Sequence, residues 1–173
     1  MKRIGSRTVY EGPIASVRID EFSYDDGTTA ERQVVSHPGA VAIVAYDELH
    51  LHLVRQPREA VGEPDLLELP AGKLDVEGES PLECAQRELG EEIGMRAAEW
   101  RELKSFYTSP GFAEERVTVF EATGLERIAD HRPDAEERIE IVAWPIDDLD
   151  AAIDACEDSK SLIGMLILRA ARR

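Results

Sequence analysis

The stretch Gly72-Lys73-Leu74-Asp75-Val76-Glu77-Gly78-Glu79-Ser80-Pro81-Leu82-Glu83-Cys84-Ala85-Gln86-Arg87-Glu88-Leu89-Gly90-Glu91-Glu92-Ile93-Gly94-Met95 reads as a loop followed by a carboxylate-lined helix. Ser80 suits an N-cap and Pro81 the first helical position, and Glu83 stands where an acid reaches back to the cap backbone. Gly94 predicts a left-handed C-terminal stop. At about 100° per residue, Leu82, Ala85, Leu89 and Ile93 fall on one side, and Glu88, Glu91 and Glu92 gather on an adjacent sector. Like charges at these spacings cost about a few tenths of a kcal/mol per pair on an isolated helix, and a divalent cation reverses that sign. Oxygen-only ligands, with neither His nor Cys, suit a hard ion such as Mg²⁺ or Mn²⁺ that bridges to a substrate phosphate. Taken alone, three acids in a Glu-rich chain read better as a solvated acidic face, so the surrounding residues must decide.

A chain of 173 residues, 43% hydrophobic and 32% charged, is expected to be a single globular domain with one sizeable core. Thirty-six acids against 20 bases give a net charge of −16. That field repels polyanions, and no basic patch is visible, so a nucleic acid polymer is not an expected partner. Small phosphate esters remain compatible where a metal ion mediates their approach. Cys84 and Cys156 form neither a metal-spaced cluster nor a disulfide framework, and Cys84 reads as a small packed side chain rather than a nucleophile. The N-terminus leads into no apolar signal core, and no run approaches the roughly 18 residues of a membrane span. The expectation is a cytoplasmic protein without a membrane partner.

Residues 7–36 read as β-rich, with Asp25-Asp26-Gly27 as a turn, and predict a small antiparallel subdomain whose own core is slight. The apolar run 40–46 suits a buried central strand. Residues 49–54 alternate, which places His50 and His52 on one side opposite Leu49, Leu51 and Leu53; without Cys or a third His nearby, ordinary side chains are the preferred reading over metal ligands. Arg55-Gln56-Pro57-Arg58 is expected to end that strand and open a loop through residues 62–65. These arginines would ordinarily be surface charge, but they leave a strand end just before the segment that feeds the acid helix. Residues 100–107 and 117–120 predict strands around a loop at Thr108-Ser109-Pro110-Gly111-Phe112-Ala113-Glu114-Glu115-Arg116, a plausible home for a general base and equally a solvent-facing turn. Residues 126–138 predict a solvated loop, residues 139–144 a strand ended by Pro145, and residues 147–157 and 159–173 two closing helices.

The segment Arg87-Glu88-Leu89-Gly90-Glu91-Glu92-Ile93-Gly94-Met95 resembles the second half of the Nudix hydrolase signature, Arg-Glu-apolar-x-Glu-Glu-x-Gly-apolar, at every defined position. Glu79 lies at the family's distance before Arg87, with one departure: six residues rather than five separate it from Gly72, and Gly78 could take up the extra residue in a turn. The resemblance implies an α/β fold, a Nudix-type α/β/α sandwich with a mixed sheet, here preceded by the small N-terminal antiparallel β subdomain. It also implies Mg²⁺, with Mn²⁺ a possible substitute, held by Glu88, Glu91, Glu92 and the Ala71 carbonyl, with Arg87 orienting the glutamates.

Outside the signature, the 109–116 loop, with Pro110 fifteen residues beyond Met95, is similar to that of the ADP-ribose pyrophosphatase subgroup. Arg55-Gln56-Pro57-Arg58 and Glu68-Leu69-Pro70-Ala71-Gly72 fit the same pattern. The resemblance therefore implies hydrolysis of ADP-ribose to AMP and ribose 5-phosphate, with Glu115 as base or water-orienter and Glu91 and Arg87 completing the catalytic set. Arg55 and Arg58 would bind substrate, Arg58 at the diphosphate, and Ser109 and Gly111 would line the terminal ribose site. It further implies a homodimer, with residues 1–36 as a dimerisation segment, residues 31–37 reaching the partner's adenine pocket, and residues 37–173 as the hydrolase domain. Other nucleoside diphosphate sugars, an ADP-sugar or GDP-mannose, and a non-catalytic nucleotide sensor are the alternatives.

Overall fold

The structure, a computed structural model, describes residues 1–129 and 138–172. Its chain clusters into two units, one formed by Met1–Gly39 with Phe106–Arg116 and the other by Ala40–Ser105 with Val117–Arg173.

In the first unit β1 (Lys2–Glu11), β2 (Ser16–Ser23) and β3 (Thr29–Ser36) form an antiparallel meander in that spatial order. The predicted turn is closed by Asp26, whose Oδ1 accepts the Thr28 backbone N–H at 3.0 Å and its hydroxyl at 2.7 Å. The centre of the sheet is polar. Asp20, 1% exposed, accepts from Ser6 at 2.6 Å, Arg18 at 3.0 Å and Arg3 at 3.3 Å. Such a unit buries little apolar surface, in keeping with the slight core expected from the sequence. Residues 106–116 join it through the Val35 N–H donating to Phe112 O at 2.7 Å and the Glu114 N–H donating to Val35 O at 3.0 Å.

The second unit is built on a mixed sheet. Its strands are β4 (Ala40–Tyr46), β5 (His50–Arg58), β6 (Glu63–Glu68), β7 (Ala71–Lys73), β8 (Met95–Tyr107), β9 (Arg116–Arg127) and β10 (Glu140–Pro145). The main order is β10-β5-β4-β9-β8, with β6 on β5 and β7 on β4. β4 runs parallel to β9 and antiparallel to β5 and β7. The helices are α1 (Pro81–Ile93), α2 (Leu149–Ala155) and α3 (Ser159–Ala171). Val41, Ile43 and Ala45 of β4 pack with Cys84, Ala85, Leu89 and Ile93 of α1. The other face meets α3 at Gly164, where an added Cβ would lie 2.6 Å from Leu69 and 2.9 Å from Val44. Alternation along one buried strand thus sends successive side chains to helices on opposite faces, which gives the expected α/β/α sandwich. Among the described residues no helix is long and apolar enough to cross a membrane.

Several expectations are corrected. The loop expected after Arg55 is a hairpin: β5 continues to Arg58 and pairs with β6, with the register shift between Gln56 and Arg58, where Pro57 has no N–H to donate. The buried stripe of α1 uses Cys84 in place of Leu82, which is exposed. His52 is buried although it alternates with Leu51 and Leu53, because both faces of β5 are covered. The first closing helix is shorter than expected and is led in by a 3₁₀ turn at Ile146–Asp148. The expected solvated loop begins inside β9 and is otherwise largely at 130–137, outside the described residues.

Candidate active site

Local sequence fixes where α1 begins and ends. Ser80 Oγ accepts the Glu83 N–H at 3.3 Å, and Glu83 Oε2 accepts the Ser80 N–H at 2.8 Å, the reciprocal box expected from the sequence. Such a cap stabilises a helix by about 1 kcal/mol. Gly94 closes the helix at φ 67° and returns its N–H to Gly90 O at 3.1 Å. The loop before the helix turns at Gly78 with φ 81°, a left-handed conformation that glycine adopts at ease.

That turn delivers Glu79 to Arg87. Arg87 Nε donates to Glu79 Oε1 at 2.8 Å and Nη2 to Oε2 at 2.9 Å, a bidentate fork. Its Nη1 donates to Glu88 Oε1 at 2.7 Å and Glu91 Oε2 at 2.8 Å. Glu79 first, then Glu91 and Glu88 against the cost of burial, raise the Arg87 pKa, so this guanidinium is a permanent cation. Arg87 in turn holds the Glu79 carboxyl below its ordinary range. Glu92, 5% exposed, accepts the Ala71 N–H at 2.9 Å, tying α1 to β7. Cys84 is fully buried, its thiol pushed up to about 12 by burial and then by Glu88, so it is inert as a nucleophile.

Among the described residues no three His, Cys, Asp or Glu side chains converge as a ready cation cage; Glu88 and Glu91 are turned to Arg87 and Glu92 to Ala71. The donors nonetheless fit a hard divalent ion. They are all oxygens, and the Glu88 carboxylate lies against Gly72, where any Cβ would overlap it. A glycine at that point leaves the backbone of the Ala71–Gly72 segment open to approach from the acid helix.

Arg58 and Arg55 leave β5 beside this helix. Arg58 is anchored on Glu68, Nε to Oε1 at 2.5 Å and Nη2 to Oε2 at 2.8 Å. Glu68 is 1% exposed and Arg58 41%. Burial pushes the Glu68 carboxyl up, and Arg58 with Lys160 outweighs it, so Glu68 stays ionised. Glu68 is the main cause of the raised Arg58 pKa, and Glu92 adds to it through space, which sets Arg58 within electrostatic reach of the acid helix. Arg55 Nη1 crosses the hairpin to Asp65, donating to its backbone O and to Oδ2, each at 3.2 Å.

In the first unit, the Ser109 carbonyl accepts the N–H groups of Phe112 at 3.1 Å and Ala113 at 2.8 Å, which folds the Pro110-Gly111 turn. The two acids that follow are treated differently. Glu114 receives Arg18 Nη1 at 2.8 Å and Nη2 at 2.6 Å, and the Ser36 hydroxyl. Arg18 first and Ser36 second bring its pKa down to about 2, so it stays an anion and takes up no proton near neutrality. Glu115 accepts the Thr108 hydroxyl at 2.8 Å and lies 3.5 Å from His37 Nδ1. Gly111 lines a cleft of 720 Å³ together with Arg18, Phe22, Tyr24, Arg32 and Phe112.

The expected residues therefore fall into two sets: Ala71, Arg87, Glu88, Glu91, Glu92, Arg55 and Arg58 in the second unit, and Ser109, Gly111 and Glu115 in the first. Sequence reasoning missed Lys160 and the Arg18–Glu114 pair. Lys160 donates to Glu68 at 2.5 Å across 92 residues, and nothing local in the sequence announces it.

A mixed sheet between helices, with a Gly-ended, glutamate-lined helix braced by an arginine, is the framework of a diphosphate hydrolase that works with a cation. The NUDIX domain model matches residues 36–163, and the chain belongs to the Nudix family. It is 44% identical over 144 residues to an ADP-ribose pyrophosphatase of Mycobacterium tuberculosis, over 82% of this chain and 68% of that one. It is 34% identical over 172 residues to an ADP-ribose pyrophosphatase of Bacillus subtilis, over 97% of this chain and 92% of that one. A crystal structure of an ADP compounds hydrolase superposes with a TM-score of 0.84 at 22% identity, over 98% of this chain and 92% of the other, which supports the fold.

Proposed function

We propose that this protein hydrolyses the diphosphate of ADP-ribose to AMP and ribose 5-phosphate, with Mg²⁺ as cation and Mn²⁺ as a substitute. The observation that carries the reading is the acid sector of α1, organised by an arginine that Glu79 anchors. The names of the two relatives above and the 109–115 loop support ADP-ribose as substrate. Glu88, Glu91, Glu92 and the Ala71 carbonyl would hold the cation, which supplies positive charge beside the phosphoryl oxygens and acidifies the attacking water.

Arg87 keeps the glutamates together through Nη1 while its other edge rests on Glu79. Arg58, steadied by Glu68, offers its exposed edge to the diphosphate, and Arg55 lies on the same strand. Ser109 and Gly111 line the terminal ribose site. Glu115 accepts the proton of the attacking water: a new P–O bond forms at one phosphorus, and the bridging oxygen departs with the other phosphate. Of the two loop acids Glu115 is the base, because Glu114 is held by Arg18.

The protein acts as a homodimer through residues 1–36. Ile4, Val9 and Tyr10 are 50%, 50% and 60% exposed on β1, an edge strand, which favours a covering partner. Residues 31–37 would serve the adenine pocket.

Purified protein incubated with ADP-ribose and Mg²⁺ is expected to release AMP and ribose 5-phosphate, with light scattering giving twice the chain mass. Tight nucleotide binding without turnover in either Mg²⁺ or Mn²⁺ would overturn the enzyme reading, and faster turnover of GDP-mannose would overturn the substrate.

A further inference from the structure

The buried Glu68 carboxylate has two cations on it. Arg58 approaches from β5, and Lys160, in the first turn of α3, donates from Nζ to Glu68 Oε2 at 2.5 Å and to Asp158 Oδ2 at 2.9 Å. Asp158 also accepts the Ser161 N–H at 3.0 Å and the Ser161 hydroxyl at 2.5 Å, and Ser161 Oγ accepts the Leu69 N–H at 2.7 Å. Lys160 is thereby fixed between the end of β6 and the start of α3, its side chain 15% exposed. Arg58 spends Nε and Nη2 on Glu68, and among the described residues its Nη1 has no partner.

A guanidinium shared with a carboxylate is a weak receptor for a second anion, because the carboxylate already cancels its charge. Burial makes this sharper, since Glu68 cannot turn to solvent for compensation. A second cation on Glu68 relieves the competition. With two carboxylates, Glu68 and Asp158, set against Arg58 and Lys160, the group is neutral overall. Lys160, divided between Glu68 and Asp158, takes up part of the Glu68 charge and so leaves more of the Arg58 charge for its exposed edge.

We propose that Lys160 is a positioning residue for substrate binding: it holds the Glu68 charge so that Arg58 can present its exposed edge to an anionic diphosphate. This rests on the reading above in which Arg58 meets the diphosphate. Lys160 touches no substrate itself. Without it, Arg58 becomes the only cation on a buried carboxylate and is withdrawn from the ligand.

The test is steady-state kinetics of the full chain with ADP-ribose and Mg²⁺, for wild type, K160M, K160R, R58A and R58A/K160M, with melting temperatures measured alongside. K160M is expected to raise KM about tenfold, the scale of one charge-assisted contact, with kcat within about twofold. K160R restores KM, and adding K160M to R58A raises KM no further. Lys160→Gln, which keeps a donor to Glu68 but no charge, is expected to behave like K160M and replaces it if K160M does not fold. A raised KM in R58A with a wild-type KM in K160M or K160Q overturns the proposal and leaves the Arg58 reading standing. Additive effects in the double variant, or a loss confined to melting temperature, overturn it equally. An unchanged KM in R58A removes the Arg58 reading and the proposal with it.

Discussion

Substituting Gly72 by alanine places a Cβ on the Glu88 carboxylate. The backbone itself tolerates the change, because Gly72 sits in β7 opposite Val41 and has no positive φ. At such a position the exchange favours folding by about 0.4–1 kcal/mol through the unfolded chain. Against this, Glu88 must swing away from Arg87. A charge-assisted hydrogen bond contributes about 1.5–3 kcal/mol when well buried, but Arg87 is 29% exposed and keeps Glu79 and Glu91. Screening brings the loss nearer to about 1 kcal/mol. The two terms nearly cancel, so the melting temperature should move by no more than about 4 °C.

Turnover should behave otherwise. In the proposed mechanism Glu88 helps to hold the cation that offsets charge in the transition state, and losing one such charge-stabilising interaction costs about 2.7–4 kcal/mol, or roughly 10²–10³ in kcat. AMP release at saturating Mg²⁺, with differential scanning fluorimetry on the same preparation, measures both quantities. G72A/E88Q should be no slower than G72A, since both changes remove one carboxylate. A G72A protein with kcat within about threefold of wild type, or additive losses in the double variant, would refute the role given to the Gly72–Glu88 contact.

Three further outcomes follow from the same geometry. Glu92→Gln keeps an oxygen for the Ala71 N–H and should fold, yet lose about two or more decades of metal-dependent turnover; near-normal activity would exclude Glu92 as a ligand. Glu115→Gln should lower kcat and leave KM largely intact, and an effect on KM alone would make Glu115 a binding group only. The Glu114 carboxyl is held at about 2, below its ordinary 4.5, so its stabilisation is whole above pH 4.5 and is lost as the pH falls toward 2. The melting-temperature gap between wild type and E114Q should therefore be flat above pH 4.5 and close below it, modestly because Glu114 is 40% exposed; a gap that stays constant into acid would refute the Arg18 pairing.

The parts of this molecule that were legible in sequence are those whose causes are local. Ser80, Glu83 and Gly94 mark the ends of α1 through contacts within a few residues of themselves, and the apolar run 40–46 needs no partner to be read as a buried strand. The 55–65 segment reads as a loop in sequence because Pro57 and Gly62 are breakers in isolation, while the β5–β6 ladder accommodates Pro57 at a register shift and Gly62 in the turn. Lys160 was illegible for a different reason. Its meaning depends on Glu68, and only the packing of α3 on the sheet brings the two together. Local sequence gives the two loop acids the same character; the family resemblance singles out Glu115, and the reach of Arg18 from β2 to Glu114 is a physical difference that only the fold supplies.

The two arginine-centred groups of the second unit differ in the charges they gather, and the difference bears on the proposal that α1 holds a cation. Arg58 and Lys160 face Glu68 and Asp158, two positive against two negative, so that group is closed and serves to hold a geometry. Arg87 meets Glu79, Glu88 and Glu91, so that one guanidinium is shared among three carboxylates. Carboxylates gathered in this way repel one another, and the divalent ion proposed above would relieve that repulsion. The same carboxylates, in a chain of net charge −16, would repel a diphosphate arriving without a cation. Under the proposed function KM as well as kcat should therefore depend on the metal, and an ADP-ribose affinity independent of Mg²⁺ would contradict it.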